Sequence, residues 1–221
     1  MDLTTRLLLQ NRAWADEMTS RDPDFFGKLV GGQQPRAFWI GCADSRVPAE
    51  RITNALPGEL FVHRSVANLM RPDDTNIMSA LQYAIDVLRV PAVIVCGHEG
   101  CGGVRAALLQ SRERVGEPGE GDYLGRHIRP LRAFYRRRVQ EIEAGDGRDD
   151  TEEGLCERVD RFVALNVAEQ VHALAATAPV RRAWERGQPL ALLGWVYALR
   201  DGRLRQVVSQ DESSRQWAEA A

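Results

Sequence analysis

The chain has 221 residues, 44% of them hydrophobic, enough for one domain with a sizeable core. Its net charge of −2 gives no global field favouring nucleic acid or an anionic membrane. No apolar stretch reaches the roughly 20 residues that span a bilayer, the N-terminus does not read as a secretory signal, and four cysteines do not make a disulfide scaffold, so a cytoplasmic protein is expected.

In chain order, residues 2–19 predict a helix with Leu7, Leu8, Ala15 and Met18 near one face, ended by a turn at Asp22-Pro23. FWIGC at 38–42 is a short apolar run bounded by turn signals and reads as a buried strand, with a local turn at Pro48. Residues 59–63 predict a second strand after Pro57-Gly58. Ile77, Leu81, Ile85 and Leu88 then recur at helical spacing. Pro91 stops that helix, strand 92–96 follows, and Gly102-Gly103 open a helix running through Leu109. Residues 111–126 are expected to be loop, with a helix after Pro130 that turns Leu131, Tyr135, Val139 and Ile142 inward. Residues 143–154, acidic and glycine-rich, are the least orderable stretch. Helical periodicity returns over 155–174, and the last strands fall at 190–199 and 204–208 around an Asp201-Gly202 turn. Strand–helix–strand alternation argues for an α/β fold, a mostly parallel central sheet covered by helices behind an N-terminal helical arm. With no repeat and no dividing linker, 1–221 is expected to be a single domain: arm 1–34, core 35–110, a charge- and glycine-rich region 111–155, and closing helices and strands 156–221.

Chemistry concentrates at two strand exits. C-A-D-S-R at 42–46 closes the first strand, and H-E-G-C at 98–101 follows the third. Cys42, Asp44, His98 and Cys101 make a plausible tetrahedral zinc set, since Zn²⁺ favours sulfur and nitrogen and tolerates carboxylate oxygen. Arg46 offers Asp44 a rival partner, and so a way to keep one metal position open. Any one of these residues alone reads more simply as a core cysteine, a loop histidine or a local ion pair. Their combination in a chain with only four histidines favours a metal centre. Cys96 and Cys156 read as packing residues, and His63, His127 and His172 have no partner at ligand spacing.

Rival motifs fail. GHEGCGG is not a dinucleotide-binding G-x-G-x-x-G, and there is no Walker A sequence. Cys42 and Arg46 are too close for a phosphate-cradling cysteine loop, and Cys96 and Cys101 do not form C-x-x-C.

The pair C-x-D-S-R and H-x-x-C, with VPAERITNALPGELFVHRSVAN, ALQYAIDVL and CGHEGCGGVRAAL around it, resembles the β-class carbonic anhydrases. The likeness resumes at LNVAEQV and AWERGQPLALLGWVY and leaves only residues 111–155 divergent. It implies one Zn²⁺ per chain on Cys42, His98 and Cys101, an Asp44–Arg46 dyad, and a homodimer or a tetramer of such dimers. It further implies reversible hydration of CO₂ to bicarbonate by zinc-bound hydroxide. Val66, Tyr83, Val87 and Gly102 are the matching pocket positions, and Gln33 matches a glutamine that donates across the dimer interface. One subgroup of the family carries a non-catalytic bicarbonate site, matched here by Trp39, Arg64 and Tyr197. Its occupancy would break the Asp44–Arg46 pair and let Asp44 ligate zinc in a closed state favoured at low pH. Other readings are a carbon disulfide hydrolase on the same scaffold, a zinc module closed permanently by Asp44, or an assembly or sensor protein that lost activity.

Overall fold

A computed structural model describes residues 1–144 and 151–211, and the chain divides into two units, Met1–Gln34 and Pro35–Ala221. In the first, α1 (Leu3–Arg21) begins at Asp2, whose carboxylate accepts from the Thr5 amide at 2.9 Å. A short α2 (Phe25–Val30) follows, where only a turn was expected. Trp14 meets Phe25 and Phe26 edge to face, with ring centroids 6.3 and 5.7 Å apart, and so ties α1 to α2. Neither helix has a buried residue, and Leu3, Leu7, Leu8 and Val30 stand exposed.

The second unit is built on five strands: β1 (Ala37–Cys42), β2 (Leu60–Ser65), β3 (Ala92–His98), β4 (Ala191–Ala198) and β5 (Arg203–Gln210). Their order is β2-β1-β3-β4-β5, with β5 antiparallel and the other pairings parallel. The expected mostly parallel α/β sheet with a helical arm is the fold the chain adopts. β1 is buried throughout and β3 at all but its first residue, which is why both read as unbroken apolar runs.

The helices are α3 (Ala49–Thr53), α4 (Thr75–Gln82) passing into a π-helical turn over Tyr83–Val87, α5 (Gly102–Arg112), α6 (Tyr123–Ile142), α7 (Glu152–Ala175) and α8 (Ala178–Glu185). One sheet face packs Phe38, Ile40, Val93, Val95 and Leu192 against α4, α7 and α8, while α5, α6 and the start of α7 form an adjoining core. A Cβ at Gly97 would lie 2.7 Å from Val167 and 2.9 Å from Val163, so glycine there lets α7 rest directly on β3. The opposite face holds Trp39, Ile94 and Cys96 under Ala49 and Ile52 of α3, with Val62, Leu193, Trp195 and Tyr197 only half-buried.

Several boundaries differ from expectation, each for a local reason. α6 starts seven residues before Pro130 because Asp122 caps it, accepting from the Gly125 amide at 2.8 Å; Pro130 sits inside the helix. α7 starts at Glu152, where Thr151 is the cap and Glu152 and Glu153 lie at the positive end of the helix dipole. Acidity that read as disorder is there helix-starting chemistry; residues 145–150 of that stretch lie outside the described residues. α8 was not expected, although Thr177 and Pro179 mark its start and Gly187, at φ 67°, its exit. Cys156 is exposed on α7 and is no packing residue.

Candidate metal centre

The strand order makes the gap between β1 and β3 the place where connections leave in opposite directions, and ligands of open α/β sheets collect at the carboxyl ends of strands there. Cys42 is the last residue of β1 and His98 the last of β3; Gly41 pairs with Cys96, so the two chains end side by side. The turn that follows reverses through Gly100 at φ 61°, a left-handed conformation suited to glycine, and delivers Cys101 to the start of α5.

The ligand atoms of Cys42, His98 and Cys101 all lie within 4.8 Å of one another, and all three residues are buried. The two sulfurs are 3.8 Å apart. The hydrogen bond shared with Cys101, which either sulfur could donate, holds the Cys42 pKa far below the thiol range; burial opposes this, while His98 and the Asp44 amide add to it. Cys101 is pushed up by the same hydrogen bond and by burial. The pair therefore takes one negative charge readily and the second only with a cation between the sulfurs. Burial opposes charging His98, but its contact with the Cys42 thiolate outweighs that and raises its pKa.

His98 fixes its own orientation. Its Nδ1 lies 2.9 Å from the Glu99 carbonyl, which accepts the ring proton and leaves a lone pair on Nε2. That Nε2 is buried with no hydrogen-bond partner. An orphaned imidazole nitrogen facing two sulfurs is a donor set that fits zinc.

Asp44 and Arg46 are paired. Asp44 Oδ1 accepts from the Arg46 amide and from Nε, both at 2.9 Å, and Oδ2 from a terminal guanidinium nitrogen at 2.7 Å. These Arg46 donors hold the Asp44 carboxyl well below the usual carboxylate range. Oδ2 is also 3.8 Å from His98 Nε2, so Asp44 stands beside the donor set while turned toward Arg46.

The remaining expected residues are spread more widely. Val66 packs on the cluster containing Cys42 and Cys101, and Gly102 is exposed one residue beyond it. Tyr83 and Val87 are exposed on the π-helical turn, with Tyr83 against Phe61 at 5.9 Å between centroids. Gln33 is exposed in the first unit. Trp39 is buried edge to face with Trp195, centroids 6.0 Å apart, and Tyr197 is half-buried on β4 opposite His98. Arg64 directs Nε to the Cys42 carbonyl at 2.9 Å, and a terminal nitrogen to the Asp44 carbonyl at 2.5 Å and the Val47 carbonyl at 3.5 Å.

Residues 37–204 match the carbonic anhydrase family. The chain belongs to the β-carbonic anhydrase family. A carbonic anhydrase of Emericella nidulans is 39% identical over 202 residues, 91% of this chain and 82% of its own. Among solved structures, the Coccomyxa β-carbonic anhydrase in complex with acetazolamide superposes with a TM-score of 0.83 at 32% identity, covering 100% of this chain and 98% of its own. A tetrameric β-carbonic anhydrase of Sordaria macrospora gives 0.81 at 33% identity, covering 94% and 98%. As a β-carbonic anhydrase the chain is an enzyme, and its buried Cys–His–Cys cluster is the place suited to a metal.

Support around the β-carbonic anhydrase site comes from residues the motifs do not flag. Asp160 of α7 accepts from the Gly100 amide at 2.8 Å, and Glu99 pairs with Arg200 at 3.1 Å and Arg205 at 3.6 Å. Asn166 donates to the Ala67 carbonyl at 3.1 Å and Gln170 accepts from the Met70 amide at 2.9 Å. They hold a 3₁₀ turn, Val66–Asn68, in which Ala67 sits at φ 59°, a strained value for a residue with a Cβ. The available signal was Asn166 and Gln170 themselves, polar residues on the inward stripe of Val163, Val167 and Val171. Asp160 carries no such local mark.

Proposed function

We propose that the chain hydrates carbon dioxide reversibly to bicarbonate and a proton, at a zinc ion held by Cys42, His98 and Cys101. The observation that carries the reading is the orphaned His98 Nε2 beside two buried sulfurs, with Asp44 drawn aside by Arg46. Bound zinc supplies a Lewis acid that makes water a nucleophile near neutral pH. With zinc held there, Asp44 would accept a hydrogen bond from the water and orient it toward the substrate carbon. Arg46 spends two guanidinium donors and its own amide on the carboxylate, which keeps Asp44 out of the metal's coordination shell. Val66 provides apolar wall for an apolar substrate, with Gly102 leaving room beside it. Gln33, Tyr83 and Val87, all exposed, contribute on the condition that a second copy seats them against the substrate.

A homodimer, or a tetramer of dimers, belongs to the proposal. An arm with no buried residue and a sheet face covered by α3 alone are both apolar surfaces that a second chain can bury. The tetrameric Sordaria relative supports the same reading. Two ligand thiols require a reducing compartment, which favours the cytoplasm; among the described residues no helix is long and apolar enough to cross a membrane.

Inhibition by bicarbonate at Trp39, Arg64 and Tyr197 completes the proposal. An anion that takes Arg64 must draw it from the carbonyls of Cys42, Asp44 and Val47, which frees the loop carrying the dyad. The zinc assignment and the activity are tested together, by metal analysis and stopped-flow CO₂ hydration on wild type, Cys42→Ser, Cys101→Ser and Cys96→Ser. Cys42→Ser and Cys101→Ser should lose most zinc and activity, and Cys96→Ser should keep both. Full zinc content in both ligand variants would overturn the assignment.

A further inference from the structure

Away from the metal centre, the end of α5, the following loop and the middle of α6 line an open pocket of about 370 Å³. Its walls include Gln110, Arg114, Glu117, Arg132 and Arg136. It lies within residues 111–155 save for Gln110, the region that departs from the family's motifs, so it is no part of the reaction site.

Charge is out of balance there. Arg132 is only 6% exposed, yet its hydrogen bonds go to backbone carbonyls, Gly116 at 3.0 Å and Val115, and among the described residues it has no ion pair with a carboxylate. A buried guanidinium without a counter-charge is costly, because hydrogen bonds to neutral carbonyls leave its charge uncompensated, and the buried Arg132 Nε has no hydrogen-bond partner among the described residues. Arg114 and Arg136 on the same walls have no ion pair among the described residues. The one acid in the lining, Glu117, is engaged by Arg129 at 3.6 Å. Three guanidinium side chains thus line one pocket, Arg114 and Arg136 exposed and Arg132 buried, while the chain as a whole is slightly acidic.

We propose that this cavity binds a small phosphate-bearing dianion, with Arg114 and Arg136 as the forks that grip it and Arg132 as the fixed charge behind them. Guanidinium forks match phosphate oxygens two at a time, and a dianion with a paired Glu117 nearby balances the three charges better than a monoanion does. The volume leaves room for a phosphate and a short organic remainder. Arg132 also ties the loop at Val115 and Gly116 to α6, so the floor of the site is built before any ligand arrives.

Calorimetric titration at pH 8 with methyl phosphate and with inorganic phosphate, both dianions there, at constant ionic strength set by sodium chloride, tests the assignment. The zinc-loaded wild type should bind one of either anion per chain. The double variant Arg114→Gln/Arg136→Gln should bind at least about tenfold more weakly while zinc content and CO₂ hydration stay unchanged. Neither arginine is held in a pair, so that variant should fold; an unchanged circular dichroism spectrum checks it. Binding should also survive in the zinc-poor Cys42→Ser protein, which separates this cavity from anion capture at the metal. Absence of binding in wild type, equal affinity in the double variant, or loss of binding in Cys42→Ser would each overturn it.

Discussion

Asp160 and Gly100 are joined by a 2.8 Å hydrogen bond between a carboxylate on α7 and a backbone amide in the turn from His98 to Cys101. The turn must reverse sharply to bring both ligands to one point, and its left-handed Gly100 sends its amide out of the turn to Asp160. Asp160→Ala should release zinc to a chromogenic chelator about tenfold faster than wild type, the usual scale for losing a group that orients ligands. Asp160→Asn, which keeps an acceptor, should fall between. Equal release rates in all three proteins would show that the turn holds itself.

Arg46→Ala separates metal binding from turnover. Asp44 loses both side-chain donors and can swing the short distance to the metal position, so CO₂ hydration should fall by about two orders of magnitude. Zinc should remain at one per chain. Because Arg46 depresses the Asp44 pKa, the pair persists above the ordinary carboxylate range and is lost only as pH falls through the lowered value. In wild type, therefore, protonation of Asp44 itself should leave no step in activity above about pH 4. Stopped-flow profiles from pH 6 to 9 with metal analysis decide the point, and near-normal activity in the variant removes the dyad from the mechanism.

Much of the centre was legible because its ligands are local. Cys42 ends one apolar run, and His98 with Cys101 follow another, so two buried strands and the donor set could be read within a few residues. What the sequence hid was either nonlocal or ambiguous in sign. Pro130 marks a helix start by habit, but a cap at Asp122 outranks it and the helix simply accommodates the proline. Glu152 and Glu153 look like a solvated acidic stretch until Thr151 is seen to cap them. Asp160 and the arginines around the α5–α6 cavity gain meaning only from partners that folding brings to them.

Gly97→Ala tests how tightly α7 is seated on the metal strand. The added methyl would meet Val167 and Val163 at under 3 Å, and neither branched side chain can retreat within a packed core. Overpacking of this kind costs about 1–3 kcal/mol, which should lower the melting temperature by roughly 2–10 °C. Zinc should also exchange faster, since His98 is the next residue. An unshifted melting curve would mean that α7 yields more easily than its packing implies.

Thiol chemistry offers a readout independent of activity. Burial pushes the Cys96 thiol up to about 12 and covers it, whereas Cys156 is exposed. Iodoacetamide at pH 8 should label Cys156 in the native protein and leave Cys96 untouched, as peptide mass spectrometry would reveal. The raised pKa also sets a sign: stability linked to Cys96 is complete below about 9 and drains away as pH rises toward 12. Rapid native labelling of Cys96 would contradict its place in the sheet.

The ladder between β3 and β4 has a consequence for how the chain folds. Ala92 pairs with Ala191, so everything from α5 to α8 must be threaded between the two strands before their hydrogen bonds can form. Cys42, His98 and Cys101, by contrast, have all entered the chain by the start of α5. Closing a long loop before its contacts reward it is the slow step in parallel sheets. A chain still being synthesised thus carries its complete donor set well before it can finish its core, and β4 is the strand for which it waits.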